Sequence, residues 1–305
     1  MTSQRHRFFR FLFIPLLILA VLLGLVLFRQ HAGLPTRFST QSNTPWNLIL
    51  VNNEHALPRG YSPELTTLSN GVQVDSRIYP DLQSMFDDMR TEGVYPVVGE
   101  GYRSEQQQQE MMQEKIDAYL AEGYSERKAR KEAEKWVAKP NYSEHQLGLA
   151  LDINADKSRC DNDTIYQWLS QNAYRYGFIL RYPSDKTETT GTPYAPHHFR
   201  YVGKIHAAIM HENNFCLEEY LDYLRNYTME SGGLAYSDGV QSYTIYYVPA
   251  DASGTTTVSL PENAVYTVSG DNSSGFIITL TNGAVTPDSS STEPASETGT
   301  TTAAY

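Results

Sequence analysis

A chain of 305 residues is long enough for one sizeable core with appendages. Its formal net charge of −11 argues against a nucleic-acid partner, which would need a basic face. Tyrosine is common, at 22 residues, but half-buried strands absorb it and it decides nothing alone.

The first element is apolar. Residues 11–28, FLFIPLLILAVLLGLVLF, carry no charge. At ~1.5 Å per residue they reach roughly 27 Å, about the thickness of a bilayer core. Arg5, Arg7 and Arg10 precede the stretch and Arg29 follows it, so the charge bias predicts residues 1–10 in the cytoplasm. The RQHAG that follows offers no good small-x-small cleavage site, which favours an uncleaved transmembrane anchor over a signal peptide. The expectation is a single-pass protein of the cell membrane with everything after residue 29 outside. The two cysteines, Cys160 and Cys216, fall in that outer part, and either a disulfide or two free buried thiols suits them.

Residues 29–45 are polar and turn-rich and read as a linker. WNLILVN reads as a first strand. In PDLQSMFDDMR (80–90), Leu82, Met85, Phe86 and Met89 recur at helical spacing behind Pro80, predicting an amphipathic helix. VYPVV (94–98) follows as a strand. Residues 104–138 suggest two helices broken at Gly123, and residues 164–178 another helix stopped by Gly177. Short β-branched and aromatic runs between turn residues predict a small antiparallel β-module over 233–283. The Ser/Thr-rich 284–305 reads as a disordered tail. The fold class reads as α+β, with a central antiparallel sheet and flanking helices over 46–230.

The strongest chemical signal is SEHQLGLALDIN (143–154). His145 and Asp152 stand seven apart across Gly148, and a strand–turn–strand path would let both converge on one point. An imidazole, a carboxylate and one more histidine make a zinc site with an open fourth position, and His198 is the natural third ligand. Four stretches then occur in order: GYRSEQQQQ (101–109), SEHQLGLALD (143–152), YGFILRYP (176–183) and HFRYVG (198–203). Together they closely resemble the zinc D,D-carboxypeptidases of the VanY type, whose peptidase family also includes L,D-carboxypeptidases. The resemblance runs from about Trp46 to about Leu224. It implies Zn2+ held by His145, Asp152 and His198. It further implies that Arg103 polarises the scissile carbonyl and steadies the oxyanion, and that Ser143 and Gln108 hold the backbone and terminal carboxylate of the substrate. The substrate class it implies is the D-Ala end of peptidoglycan stem peptides, cleaved by metal-assisted amide hydrolysis.

One position departs from that family. Its members typically read Glu-Pro-Trp-His where this chain reads Ala195-Pro196-His197-His198. The glutamate is the family's general base, and positioned acid–base catalysis contributes ~10²–10⁴ in rate. Three readings follow. His197, Glu100 or Glu188 substitutes as base; or the protein is a slow enzyme; or it is a pseudoenzyme that binds or senses wall peptides.

Overall fold

The computed structural model describes residues 34–39 and 46–284. The apolar stretch 11–28 and the tail from 285 onward lie outside the described residues. Among the described residues no helix is long and apolar enough to cross a membrane. The described residues begin with β1 (Leu34–Ser39), β2 (Leu65–Thr67), β3 (Gln73–Asp75), α1 (Tyr79–Thr91) and β4 (Pro96–Glu100). A helical hairpin of α2 (Glu105–Ala121) and α3 (Glu126–Ala133) precedes β5 (Ala150–Ala155) and α4 (Asn162–Asn172). Next come β6 (Phe178–Leu180), the short α5 (Thr187–Thr190), β7 (His198–Tyr201), α6 (Lys204–Asn213) and α7 (Leu217–Leu224). The last part is all strand: β8 (Leu234–Ser237), β9 (Gln241–Pro249), β10 (Thr255–Leu260), β11 (Val265–Gly270) and β12 (Gly275–Ala284).

The central sheet has the order β4-β5-β7-β6, antiparallel throughout. Its middle strand explains how one face is core and the other a site. Successive side chains of a strand point to opposite faces, so the fully buried Leu151 and Ile153 flank an Asp152 that points the other way. On the core side Leu151 and Ile153 meet the apolar stripe of α1 (Leu82, Met85, Phe86, Met89) and Ile165, Trp168 and Leu169 of α4. The stripe has the periodicity that the sequence shows, and Pro80 sits in the first turn, where its missing N–H costs nothing.

Two expectations change. WNLILVN is not a strand. Leu48–Val51 are buried, but their backbone is bonded piecemeal: Arg200 Nη2 donates to the carbonyls of Asn47 and Ile49, and Leu50 N–H donates to Asp271 O. An apolar run marks burial, and here side chains and a loop supply the partners that a neighbouring strand would have supplied. Within the expected linker, Leu34–Ser39 forms β1 and pairs antiparallel with β10 over six residues. β10 takes no place in the order β11-β12-β9-β8 of the four-stranded C-terminal sheet, so its backbone groups are met by β1. Both cysteines are free, with Cys216 buried and Cys160 partly so.

The β-module is present as expected, but it shares a core with the part that precedes it. Ile245 of β9 and Ile277 of β12 pack with Leu48, Val202, Leu217 and Tyr220. Across the same seam buried His206 contacts Tyr220 Oη (2.7 Å) and Thr279 Oγ1 (3.1 Å). Burial pushes its pKa down to about 4, so it serves there as a neutral imidazole. Residues 46–284 should accordingly unfold in one cooperative transition. Ile245→Ala should lower the stability of the whole unit by about 2–5 kcal/mol in guanidinium titrations followed by both far-UV circular dichroism and tryptophan fluorescence. An autonomous module would give a separate transition, and it alone would shift.

Candidate metal centre

Sheet register builds the site. Glu100 on β4, Asp152 on β5 and His198 on β7 are direct cross-strand partners, forming one row across three strands. His145 reaches the row from a different element than the strand expected. Glu144–Leu147 form a single 3-10 turn ended by Gly148 at φ 73°, where a side chain would be strained and would meet Asp75 N at 3.0 Å. After this turn the chain enters β5, and the seven-residue spacing closes on one point. One donor atom from each of His145, Asp152 and His198 lies within 4.8 Å of the others. His198 Nδ1 is 3.0 Å and His145 Nε2 3.7 Å from Asp152 Oδ1.

The outer nitrogens of both histidines face fixed acceptors. His145 Nδ1 lies 2.8 Å from Gly101 O, which leaves Nε2 for the centre. His198 Nε2 faces Glu144 Oε2 at 3.6 Å, too far for a hydrogen bond, and both atoms are buried without a partner. The other oxygen, Glu144 Oε1, accepts from Arg181 Nε and Arg200 Nη1, each at 2.8 Å.

Burial would raise the Glu144 carboxyl, but the Arg181 and Arg200 guanidiniums overcome it and hold it far below the carboxylate range. Burial likewise opposes ionisation of Asp152; the His198 hydrogen bond and the surrounding imidazoles overcome it and bring the group to about 2. Burial and neighbouring His198 push His145 down to about 4. Burial alone would lower His198, but the carboxylates of Asp152 and Glu144 carry it upward.

Two imidazoles and an ionised carboxylate fit Zn2+. The orphaned pair fits as well. With Nδ1 turned to a metal, the imidazole proton belongs on Nε2, opposite the unpartnered oxygen of Glu144.

A cleft of about 290 Å³ opens on this centre, lined among others by Arg103, Ser143, Ala195 and His197. Arg103 is buried: Nε and Nη2 bind Glu100 (2.9 and 2.5 Å) and Nη1 binds Gln108 Oε1. Gln108 does not reach the cleft lining. It is fully buried and spends its amide on Arg103 and on Ala138 O (2.6 Å), so it holds the arginine and the neighbouring loop in place.

Ala195 opens a turn whose Pro196 presets the bend and whose His198 N–H returns to Ala195 O. That turn sets a methyl group beside the centre. Of the three substitutes for a base, Glu188 is exposed on α5 and lines a different cleft with Asn52 and Glu218. Glu100 lines this cleft but is engaged by Arg103. His197 lines it half-exposed, with Nε2 at 3.9 Å from Asp152 Oδ2.

Sequence reasoning gave no role to Glu144, Arg181, Arg200 or the Gly101 carbonyl. Arginines inside apolar strands (FILR, HFRY) were the available signal, since a buried guanidinium needs a buried carboxylate.

A double-histidine, single-carboxylate centre on an antiparallel sheet is the layout of a mononuclear metallopeptidase. Residues 71–204 match the VanY family, described as D-alanyl-D-alanine carboxypeptidase. A D-alanyl-D-alanine carboxypeptidase of Enterococcus faecalis is 52% identical over 177 residues, covering 58% of this chain and 66% of that protein. One from Enterococcus faecium is 34% identical over 249 residues, covering 77% of this chain and 75% of its own length. Among solved structures, a glutamate-to-alanine mutant of the vancomycin resistance D,D-pentapeptidase VanY from a VanB-type cassette, in complex with Zn(II), is 52% identical. It superposes with a TM-score of 0.56 over 58% of this chain and 99% of its own. The chain belongs to the VanY family.

Gly101→Ala should lower zinc affinity by about 10–100-fold in competition titrations, because its Cβ would meet Gln73 O at 2.4 Å and displace the carbonyl that orients His145. Glu144→Gln leaves the buried Arg200 guanidinium with no carboxylate and Arg181 with Glu218 alone, and should destabilise the apoprotein by roughly 3–5 kcal/mol at neutral pH. The wild-type carboxyl has a depressed folded pKa. Its contribution is therefore full above the unfolded value of about 4.3 and is lost as pH falls below it, so the gap between the two proteins should narrow in acid denaturation series.

Proposed function

We propose that this protein binds Zn2+ through His145, Asp152 and His198 and uses the centre to hold the D-Ala-D-Ala end of peptidoglycan stem peptides, hydrolysing it slowly. The observation that carries this reading is the convergence of the three donors on the cleft that Arg103 and Ser143 line. A zinc ion bound there supplies Lewis-acid polarisation of the scissile carbonyl and activation of water. Arg103, pinned by Glu100 and Gln108, keeps part of its five-donor fork for the developing oxyanion. Ser143 offers a hydroxyl for the substrate backbone. Gln108 positions Arg103. Glu144 steadies His198 from behind.

The proton shuttle is what the chain lacks. Moving a proton from the attacking water to the leaving amine needs a free base beside the centre, and Ala195 has none. The relative solved with Zn(II) carries a glutamate-to-alanine exchange and still holds its metal, which supports metal binding in this fold. Glu100 is spent on Arg103, and this favours a second reading, a wall-peptide binding protein with negligible turnover. Residues 11–28, charge-free and long enough to span, would anchor the chain in the cell membrane with the catalytic part outside.

Ala195→Glu should raise kcat on a D-Ala-terminated stem peptide by about 10²-fold or more, with D-Ala release followed by mass spectrometry and zinc content checked in both proteins. A wild type as fast as the variant would show that another group already acts as base. Stem-peptide binding without turnover in either protein would favour the binding-protein reading.

A further inference from the structure

The cleft has a wall that the metal chemistry does not use. Met111 on α2 and residues 134–138, which follow α3, line it together with the centre. Among the described residues, only one of the large apolar side chains left exposed lines this cleft: Trp136, at 66%. Single exposed apolar residues are ordinary and need no explanation. This one differs in how firmly its backbone is held. The N–H groups of Trp136 and Val137 both return to Ala133 O, at 3.0 and 2.9 Å. Val137 packs inward on the hairpin core of Met112, Ile116, Ala129 and Ala133. The carbonyl of Ala138 accepts from Gln108, the residue that also holds Arg103. An indole is thus presented to the cleft on a fixed loop that is tied through one amide to the arginine of the centre. Met111, Val137 and Ala138 extend its apolar face.

We propose that Trp136 is a specificity-determining residue, packing its indole on the stem-peptide residues that precede the terminal D-Ala pair. The proposal rests on the substrate reading above and adds to it which side chain reads the body of the peptide. A tryptophan buries a large area at small conformational cost, and one such contact commonly dominates recognition.

The test is calorimetric titration of the zinc-loaded full chain with two ligands, the pentapeptide L-Ala-γ-D-Glu-L-Lys-D-Ala-D-Ala and the dipeptide D-Ala-D-Ala. In Trp136→Ala the ratio of dipeptide Kd to pentapeptide Kd should fall on the order of tenfold, the scale of one lost aromatic contact. Trp136→Phe, which keeps a ring, should restore most of it. A pentapeptide that binds wild type with a ratio unmoved in Trp136→Ala overturns the proposal and leaves the metal reading standing. Equal weakening of both ligands overturns it too, because the tryptophan would then be shaping the loop. Failure of both ligands to bind wild type removes the substrate reading and this proposal with it.

Discussion

Everything at the centre depends on one buried carboxylate. Glu144 accepts from two guanidiniums that are themselves fully buried, and its free oxygen faces His198. Arg200 carries the connection to the first buried segment through Asn47 and Ile49. Arg181 carries it to α7 through Glu218, which also holds Asn52. The 3-10 turn, β6, β7, the N-terminal segment and α7 thus meet at a single charge. Removing one partner of such a network is costly, because the others remain charged in a medium that does not solvate them. The metal centre is rigid because it stands on this network and because Asp152 Oδ1 holds His198 Nδ1 from the neighbouring strand.

That rigidity separates two halves of a hydrolytic site which are normally discussed as one. The half that binds is intact: three donors, two oriented imidazoles and a clamped arginine. For the half that moves protons, the resemblance expects a glutamate where Ala195 stands. Glu100 is the carboxylate in register with Asp152, yet its two oxygens are taken by Arg103. Freeing it would loosen the arginine. Recruiting Glu100 as a base would therefore come at the expense of the arginine's position.

Much of this was legible in the sequence, for a physical reason in each case. The α1 stripe is legible because helical periodicity and burial coincide there. The triad is legible because turn, glycine and strand leave a seven-residue spacing with few alternatives. WNLILVN misled because an apolar run reports burial and says nothing about who satisfies the backbone. β1 was invisible because its partner, β10, lies over 200 residues away and its composition is that of a linker. The bond from Arg103 to Gln108 was not legible, because a side chain's direction off a helix is decided by packing. Glu144 stood inside the quoted motif and went unread, since its role exists only once Arg181 and Arg200 are folded around it.

The row Glu100–Asp152–His198 has one more consequence. Its members belong to separate strands and meet only in a single register; a slip of one residue would swing Asp152 to the opposite face of the sheet. Any ion captured by Asp152 and His198 therefore selects, from all pairings available to a newly made chain, the one in which β5 and β7 are aligned. Through mass action it would add about RT ln(1 + [Zn]/Kd) to that alignment and nothing to its competitors. The same contact would thus act as a proofreader of strand pairing, a reason for the donors to persist that does not depend on the rate of any reaction at the centre.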